Sequence, residues 1–199
     1  MTAGQELGQA FSHREYVFHK QFWKIFGGAF HIYDSNNNLV FYSKQKAFKL
    51  KEDFRVYGDE GQTHELLDIK TPKVLDISAT YYVFDPARNE QVGALKRKGL
   101  KSIVRDEWVI LGKDGKEIGK MVETNMVMAI LSRLIKFVPQ GYSITTVDNR
   151  EVATIKQHFN PIILKYTLSI NEPSPSIDPR LLISAGILLC AIEGRQEQV

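Results

Sequence analysis

The sequence predicts a mainly β domain, a closed antiparallel barrel of about twelve strands around a buried, apolar C-terminal helix. Three observations support this prediction. Short aromatic and β-branched runs recur along the chain, tight-turn clusters separate them, and one apolar segment near the C-terminus is too short to cross a membrane. The chain has 199 residues, enough to bury one substantial core. We expect a flexible lead-in over residues 1–12 and a single barrel domain over residues 13–199.

The strands are predicted from runs whose side chains suit a pleated, half-buried surface. The clearest runs are residues 30–33, 39–42, 80–84 and 108–111. Clusters of Asp, Asn and Gly between such runs are typical of tight turns. These clusters are residues 34–38, 58–61, 85–89 and 113–116. An irregular repeat, in which a strand ends in Asp and the next strand opens with Val, indicates duplicated hairpins that close one sheet.

The C-terminal segment is predicted to form a core helix over about residues 178–193. Asp178 and Pro179 are a helix-start signature, because Asp caps exposed amide groups and Pro is preset for the first turn. The residues from Leu181 to Ile192 are apolar around nearly the whole circumference. Twelve residues give about 18 Å of helix, well short of the ~30 Å hydrocarbon thickness of a membrane. We therefore expect protein, and not lipid, to surround this helix.

A second apolar segment, Met126 to Val138, fits two structures. Thr124 and Asn125 precede it as candidate caps and Pro139 ends it, which favours a helix that crosses between halves of the barrel. Its Val and Ile residues also permit a strand. Both interpretations stay open at the level of sequence.

Composition limits the classes of function. The net charge of +3 is too small to indicate nucleic-acid binding, although it allows a local basic patch. The one cysteine, Cys190, lies in an apolar run and is expected to be a small buried side chain, which fits a reducing compartment. The N-terminus lacks the charged flank and apolar core of a secretory signal. We expect a cytoplasmic protein without a transmembrane span.

The sequence contains no recognisable catalytic, metal or cofactor motif. The five histidines have no paired spacing: His13, His19, His31, His64 and His158. Residues 34–38 imitate the opening of a calcium loop, but Leu39 stands where glycine is needed and Gln45 where glutamate is needed. We therefore expect a non-enzymatic protein without a cofactor. Only a deep polar pocket with converging titratable groups would revive an enzymatic function.

The densest basic stretch is the candidate binding site. It comprises Lys96, Arg97, Lys98 and, beyond Leu100, Lys101. Because alternate residues of a strand share a face, Lys96 and Lys98 are predicted to point to one side and Arg97 to the other. That lysine pair, helped by Lys101 from the next strand, would hold an anionic, phosphoinositide-like headgroup. The alternative interpretation is a solvated hairpin tip.

An ordered set of motifs spans roughly Phe11 to Ile192. Its members are Phe30-His31-Ile32-Tyr33-Asp34, Val40-Phe41, Tyr82-Val83-Phe84-Asp85, Val92-Gly93, Trp108-Val109-Ile110, Ile118-Gly119 and Asp178-Pro179-Arg180-Leu181-Leu182. The set resembles the tubby C-terminal-like superfamily, most closely the LURP-one-related proteins, with phospholipid scramblases as more distant relatives. The resemblance implies twelve antiparallel strands around a central C-terminal helix. It also implies phosphoinositide binding on the barrel exterior, as in tubby-type domains, or lipid movement, as in scramblases.

Three functional hypotheses follow. The first is a non-enzymatic module that binds an anionic phospholipid headgroup or a protein partner on its outer basic surface, in the cytoplasm or peripherally at a membrane. The second is a scramblase-like membrane protein with the C-terminal segment or Met126 to Val138 in lipid, although no calcium segment is evident near the C-terminal helix. The third is a scaffold domain without catalytic activity. Ligand, partner and oligomeric state are beyond the sequence.

Overall fold

The computed structural model describes residues 8–21, 29–45, 53–72, 79–98, 107–124, 140–158, 163–172 and 176–196. Within these ranges the chain forms twelve strands and a C-terminal helix. The strands are β1 (Glu15–Gln21), β2 (Ala29–Tyr33), β3 (Leu39–Gln45), β4 (Asp53–Tyr57), β5 (Glu65–Lys70), β6 (Thr80–Asp85), β7 (Glu90–Arg97), β8 (Glu107–Leu111), β9 (Glu117–Glu123), β10 (Gly141–Thr146), β11 (Glu151–His158) and β12 (Ile163–Ile170). The helix is Pro179–Gln196. The segment Met126 to Val138 lies outside the described residues.

The strands form one closed antiparallel barrel. Each strand pairs with its neighbours in sequence, and β1 closes the ring by pairing with β12. Side chains alternate between the core and the outer surface, as a two-residue period requires. Along β2, for example, Phe30 and Ile32 are buried, whereas His31 between them is partly exposed. The predicted mainly β barrel of about twelve strands is therefore confirmed.

Five tight hairpins at one end of the barrel share a turn design. They connect β2 to β3, β4 to β5, β6 to β7, β8 to β9 and β10 to β11. In each, a residue in the left-handed backbone conformation donates its N–H to the carbonyl three residues earlier. The pairing register of the two strands also shifts by one residue beside each turn. Asn occupies the left-handed position three times, because Asn tolerates this backbone better than most residues. The four Asp, Asn and Gly clusters of the sequence supply four of these turns, and residues 147–150 supply the fifth.

The C-terminal helix is buried against the barrel wall. Every side chain from Leu181 to Ala191 is buried. The helix contacts β1, β6, β7 and β12, and β1 and β7 occupy opposite positions in the ring of twelve strands. A Cβ atom on Gly186 would lie only 2.5 Å from the Phe18 ring, so this glycine allows β1 to approach the helix closely. The prediction of a buried C-terminal helix packed against strands is confirmed.

The helix begins at the predicted cap. The Oδ1 atom of Asp178 accepts a hydrogen bond from the Arg180 N–H at 2.9 Å, and the Asp178 carbonyl accepts the first helical bond from Leu181. Among the described residues, no helix combines the length and the hydropathy that a membrane crossing needs.

Two chemically distinctive side chains lie at the second half of the helix, Cys190 of the helix itself and Lys20 of β1. Cys190 is fully buried, as predicted, and burial raises the pKa of its thiol far above the usual value, so the thiol stays protonated. Lys20 projects inward from β1 and donates from Nζ to the Cys190 carbonyl at 3.4 Å, with the ammonium 5.1 Å from the centre of the Phe30 ring. The core at this level therefore accommodates a lysine.

Candidate functional site

An ion-pair cluster at the start of the helix fixes the helix to the barrel. The Nη1 atom of Arg180 lies 2.6 Å from Asp85 Oδ2 and 2.8 Å from Glu90 Oε1, and its Nη2 atom lies 2.7 Å from Asp178 Oδ2. Only 12% of the Arg180 side chain is exposed. Hydrogen bonding to Asp178 is the main reason why the pKa of Arg180 is raised.

Two acidic partners of Arg180, Asp85 and Glu90, have pKa values below their usual range. Burial alone would raise the pKa of Asp85, but hydrogen bonds from the Arg88 N–H and from the Arg180 and Arg88 side chains hold that pKa below its usual range. Lys113 adds a second cation beside Glu90. Because the opposite charges satisfy one another, this cluster is an anchor for the helix and not a site for a charged ligand.

The predicted basic residues lie at the other end of β7. Lys96 and Lys98 are exposed, while Arg97 is partly buried, with its guanidinium carbon 5.9 Å from the centre of the Trp108 ring. Trp108 belongs to the core, so Arg97 projects to the opposite side from the two lysines. The structure thus places Lys96 and Lys98 together on the outer wall. Lys101 lies outside the described residues.

The two outer lysines differ in their partners. The Nζ atom of Lys98 lies 2.5 Å from Glu107 Oε1 on β8, and this hydrogen bond is the main reason why the pKa of Lys98 is raised. No described carboxylate forms an ion pair with Lys96. A negatively charged ligand would therefore meet one unpaired lysine and one lysine that it must share with a glutamate.

A third lysine of this face was not singled out from the sequence. Lys120 on β9 and Lys96 on β7 each pair in register with Val109 of β8, so the two lysines flank one residue on the outer wall. With neighbouring strands about 4.8 Å apart, their Cα atoms are separated by roughly 10 Å. Only strand register reveals this neighbour, because Lys96 and Lys120 are distant in sequence. We call Lys96, Lys98 and Lys120 the β7 face.

An open cavity of about 420 Å³ lies at the hairpin end of the barrel. Its wall combines apolar side chains, among them Val40 and Leu66, with four titratable groups. The titratable groups are His13, Asp34, Asp59 and His64. They come from the segment before β1, from two hairpin turns and from the residue before β5, so their proximity could not be predicted from the sequence.

The acidic groups of the cavity serve the local turns. Asp34 accepts hydrogen bonds from the Asn38 side chain and from the N–H groups of Asn36 and Asn38, and these bonds lower its pKa. Asp59 Oδ2 accepts a hydrogen bond from the Thr63 hydroxyl at 2.7 Å, which lowers the pKa of Asp59.

The Asp59, Thr63 and His64 arrangement is not that of an activated nucleophile. The Thr63 hydroxyl already donates its only proton to Asp59, so at 2.9 Å it can only accept a hydrogen bond from His64 Nδ1. His64 is therefore not placed to deprotonate Thr63, and Asp59, which accepts the hydroxyl hydrogen bond, has a lowered pKa that makes it a weak base. The turns at residues 34–38 and 58–64 account for the hydrogen bonds of both aspartates, and the Asp34 turn occupies the position of the imitation calcium loop. Among the described residues, no group of three or more His, Cys, Asp or Glu side chains could hold a metal ion.

The fold and the family comparison agree. The family described as LURP-one-related matches residues 14–190, which covers the barrel strands and most of the C-terminal helix. The closed twelve-stranded barrel is also consistent with the tubby-like superfamily. No curated protein matches the chain. Because the family match extends over most of its length, the chain belongs to the LURP-one-related family.

Proposed function

We propose that this LURP-one-related domain binds an anionic phospholipid headgroup at the β7 face. The observation that carries the proposal is the exposure of Lys96 and Lys98 on one side of β7, with Lys120 two strands away and no described carboxylate paired with Lys96 or Lys120. Each lysine near an anionic membrane surface contributes about 1 kcal/mol of attraction, so Lys96 and Lys120, with a smaller contribution from the paired Lys98, suffice for weak peripheral association.

The ion pair between Lys98 and Glu107 has two opposing effects on headgroup binding. Glu107 holds the Lys98 ammonium on the outer wall, which preorganises one cation, but it also contributes a negative charge that opposes an incoming phosphate. Lys96 is therefore expected to make the larger contribution to headgroup binding.

Co-sedimentation with phosphatidylcholine vesicles, with and without phosphatidylinositol phosphates, tests the proposal. The Lys96→Glu variant is expected to weaken association with the phosphoinositide vesicles about thirtyfold at low salt, because an attraction of about 1 kcal/mol is replaced by a repulsion of similar size. Lys116→Glu is the matched control. It makes the same charge change at an exposed turn position on the hairpin end of the barrel, and it should leave binding unchanged.

Equal binding of wild type and Lys96→Glu would overturn the lipid version of this proposal. A protein partner on the same outer surface would then be the remaining form of the hypothesis. The burial of Leu181 to Ala191 favours peripheral binding over scramblase-like action by the C-terminal helix, because those side chains already contact protein.

A further inference from the structure

A second basic cluster lies on another part of the barrel wall, centred four strands from the middle of the β7 face. Four side chains from three neighbouring strands project from the outer wall, because the residues that alternate with them face the core. They are Lys156 and His158 of β11, Lys165 of β12 and His19 of β1. We call them the His–Lys cluster. It shares no strand with the β7 face, since it spans β11 to β1 and that face spans β7 to β9.

Strand register brings the cluster together. Lys165 pairs directly with His19 on one side and with His158 on the other. Directly opposed residues in antiparallel strands have Cβ atoms about 5 Å apart, which is close enough for both imidazoles to interact with one ligand at Lys165. His158, Lys165 and His19 thus form a row across three strands, and His31 on β2 extends it because His31 pairs with His19.

The cluster has unused capacity for an anion. No described carboxylate forms an ion pair with Lys156 or Lys165, in contrast to Lys98 and Arg150, which are paired with Glu107 and Glu172. The Nε2 atom of His19 is buried without a hydrogen-bond partner among the described residues. A buried imidazole nitrogen in this state is unfavourable, so a turn of the ring that brings Nε2 to a ligand oxygen on the outer wall would satisfy it.

We propose that the His–Lys cluster binds a phosphate group, and that its affinity for an anion of constant charge rises as the pH falls from 8 to 5.5. Lys165 supplies the permanent charge at the centre, and the flanking imidazoles of His19 and His158 supply charge when they are protonated. The proposal does not depend on the β7 face and adds a second site, on strands that the β7 face does not use.

The charged surroundings of each imidazole explain the pH dependence. His19 is faced by Lys165 on β12 and by His31 and Tyr33 on β2. Burial, then Lys165 and His31, lower the pKa of His19. Without a ligand, this imidazole therefore protonates only below its usual pH range.

The surroundings of His158 are similar. Its Nε2 atom lies 2.8 Å from the Thr167 hydroxyl on β12, and Lys156, Lys165 and Glu15 act on it electrostatically. Burial and the two lysines lower the pKa of His158, while Glu15 opposes them. A bound dianion would favour protonation of both imidazoles, so binding and proton uptake are linked. At the far end of the row, Glu60 accepts a hydrogen bond from His31 Nε2 at 2.8 Å and partly balances the charge there.

NMR titration of the full chain with inorganic sulfate tests the proposal, because sulfate mimics phosphate but keeps its charge of −2 across this pH range. The imidazole signals of His19 and His158 are expected to move, and sulfate affinity is expected to be at least fivefold higher at pH 5.5 than at pH 8. His13 and His64, at the hairpin end of the barrel, serve as internal controls. Unchanged His19 and His158 signals, or equal affinity at both pH values, would overturn the proposal without the need for any variant.

Substitutions separate the two roles within the cluster. Lys165→Gln is expected to reduce sulfate affinity at least fivefold at both pH values, whereas Lys165→Arg retains it. The double variant His19→Gln with His158→Gln should keep the affinity seen at pH 8 and lose the increase at pH 5.5. A Lys165→Gln protein with wild-type affinity would contradict the central role of Lys165.

Vesicles distinguish the source of the phosphate group. At pH 5.5, a loss of binding to phosphatidic acid vesicles in Lys165→Gln, together with the loss of sulfate binding, assigns the cluster to a lipid phosphomonoester. Loss of sulfate binding alone assigns it to a soluble phosphate compound. Lys96→Glu should leave the sulfate titration unchanged, so failure of the β7 proposal and failure of this one are separate results.

Discussion

The two basic faces of the barrel are built in opposite ways. The β7 face arises from a dense run of basic residues, yet alternation along the strand turns Arg97 toward Trp108, and Glu107 pairs with Lys98. The His–Lys cluster comes from residues scattered over 147 positions of sequence, from His19 to Lys165, and has no described ion pair at either of its lysines. On a β-barrel, nearness in sequence therefore does not show which basic side chains can bind an anion together. Strand register determines which side chains lie side by side.

The two faces also differ in their position around the barrel. The β7 face spans β7 to β9 and the His–Lys cluster spans β11 to β1, so their central strands, β8 and β12, are four strands apart in the ring of twelve. The two faces therefore point about a third of a turn away from each other around the barrel. Both depend on the same barrel.

The largest expected effect tests that shared scaffold. Replacing Arg180 with Leu leaves Asp85, whose side chain is only 4% exposed, without its buried cation, and should lower the free energy of unfolding by about 3–5 kcal/mol. Urea denaturation measures this change. Arg88→Ala is the control, because Arg88 pairs with the same Asp85 oxygen but is 57% exposed, so it should cost less than about 1 kcal/mol. Similar losses in the two variants would mean that Arg180 does not anchor the helix.

A smaller effect is expected at the ion pair that distinguishes the β7 face. Glu107→Gln removes the negative charge that competes for Lys98 and should strengthen binding to phosphoinositide vesicles about threefold, because a partly exposed ion pair contributes under about 1 kcal/mol. Sulfate binding at the His–Lys cluster should not change. Weaker vesicle binding in Glu107→Gln would show that the glutamate positions Lys98 more than it neutralises it.

The smallest expected effect is on the pH dependence of stability. The folded pKa values of His19 and His158 lie below their ordinary value of 6.5, so the unfolded chain binds more protons in this range. The contribution of these neutral imidazoles to stability is complete above about pH 6.5 and is lost as the pH falls toward the lower folded values. Since both side chains are partly solvated, the loss should stay below about 1 kcal/mol.

Thermal unfolding between pH 7.5 and 5.5 measures how steeply stability depends on pH. This slope should be smaller in the double variant His19→Gln with His158→Gln than in the wild type. Sulfate should also reduce the slope in the wild type, because bound anion favours the protonated imidazoles. An identical slope in wild type and double variant would show that other groups dominate the titration.

Much of the fold was predictable because its signals are local. The β-branched and aromatic runs indicate strands, the Asp, Asn and Gly clusters indicate hairpins, and Asp178 with Pro179 marks the start of the helix. The opposite orientations of Lys96 and Arg97 followed from the two-residue period alone. The capture of Lys98 by Glu107 was not predictable, because it depends on the register between β7 and β8.

By itself, the sequence determined that this chain forms a β-barrel with an apolar helix that protein must cover, since side-chain size, branching and polarity act at each position along the chain. Only the tertiary structure decided which distant residues meet. Closure between β1 and β12 places His19 beside Lys165, and the entry of the helix places Arg180 between Asp85 and Glu90. These contacts depend on strand order and register, and the residues that flank each partner in sequence do not indicate such long-range pairings.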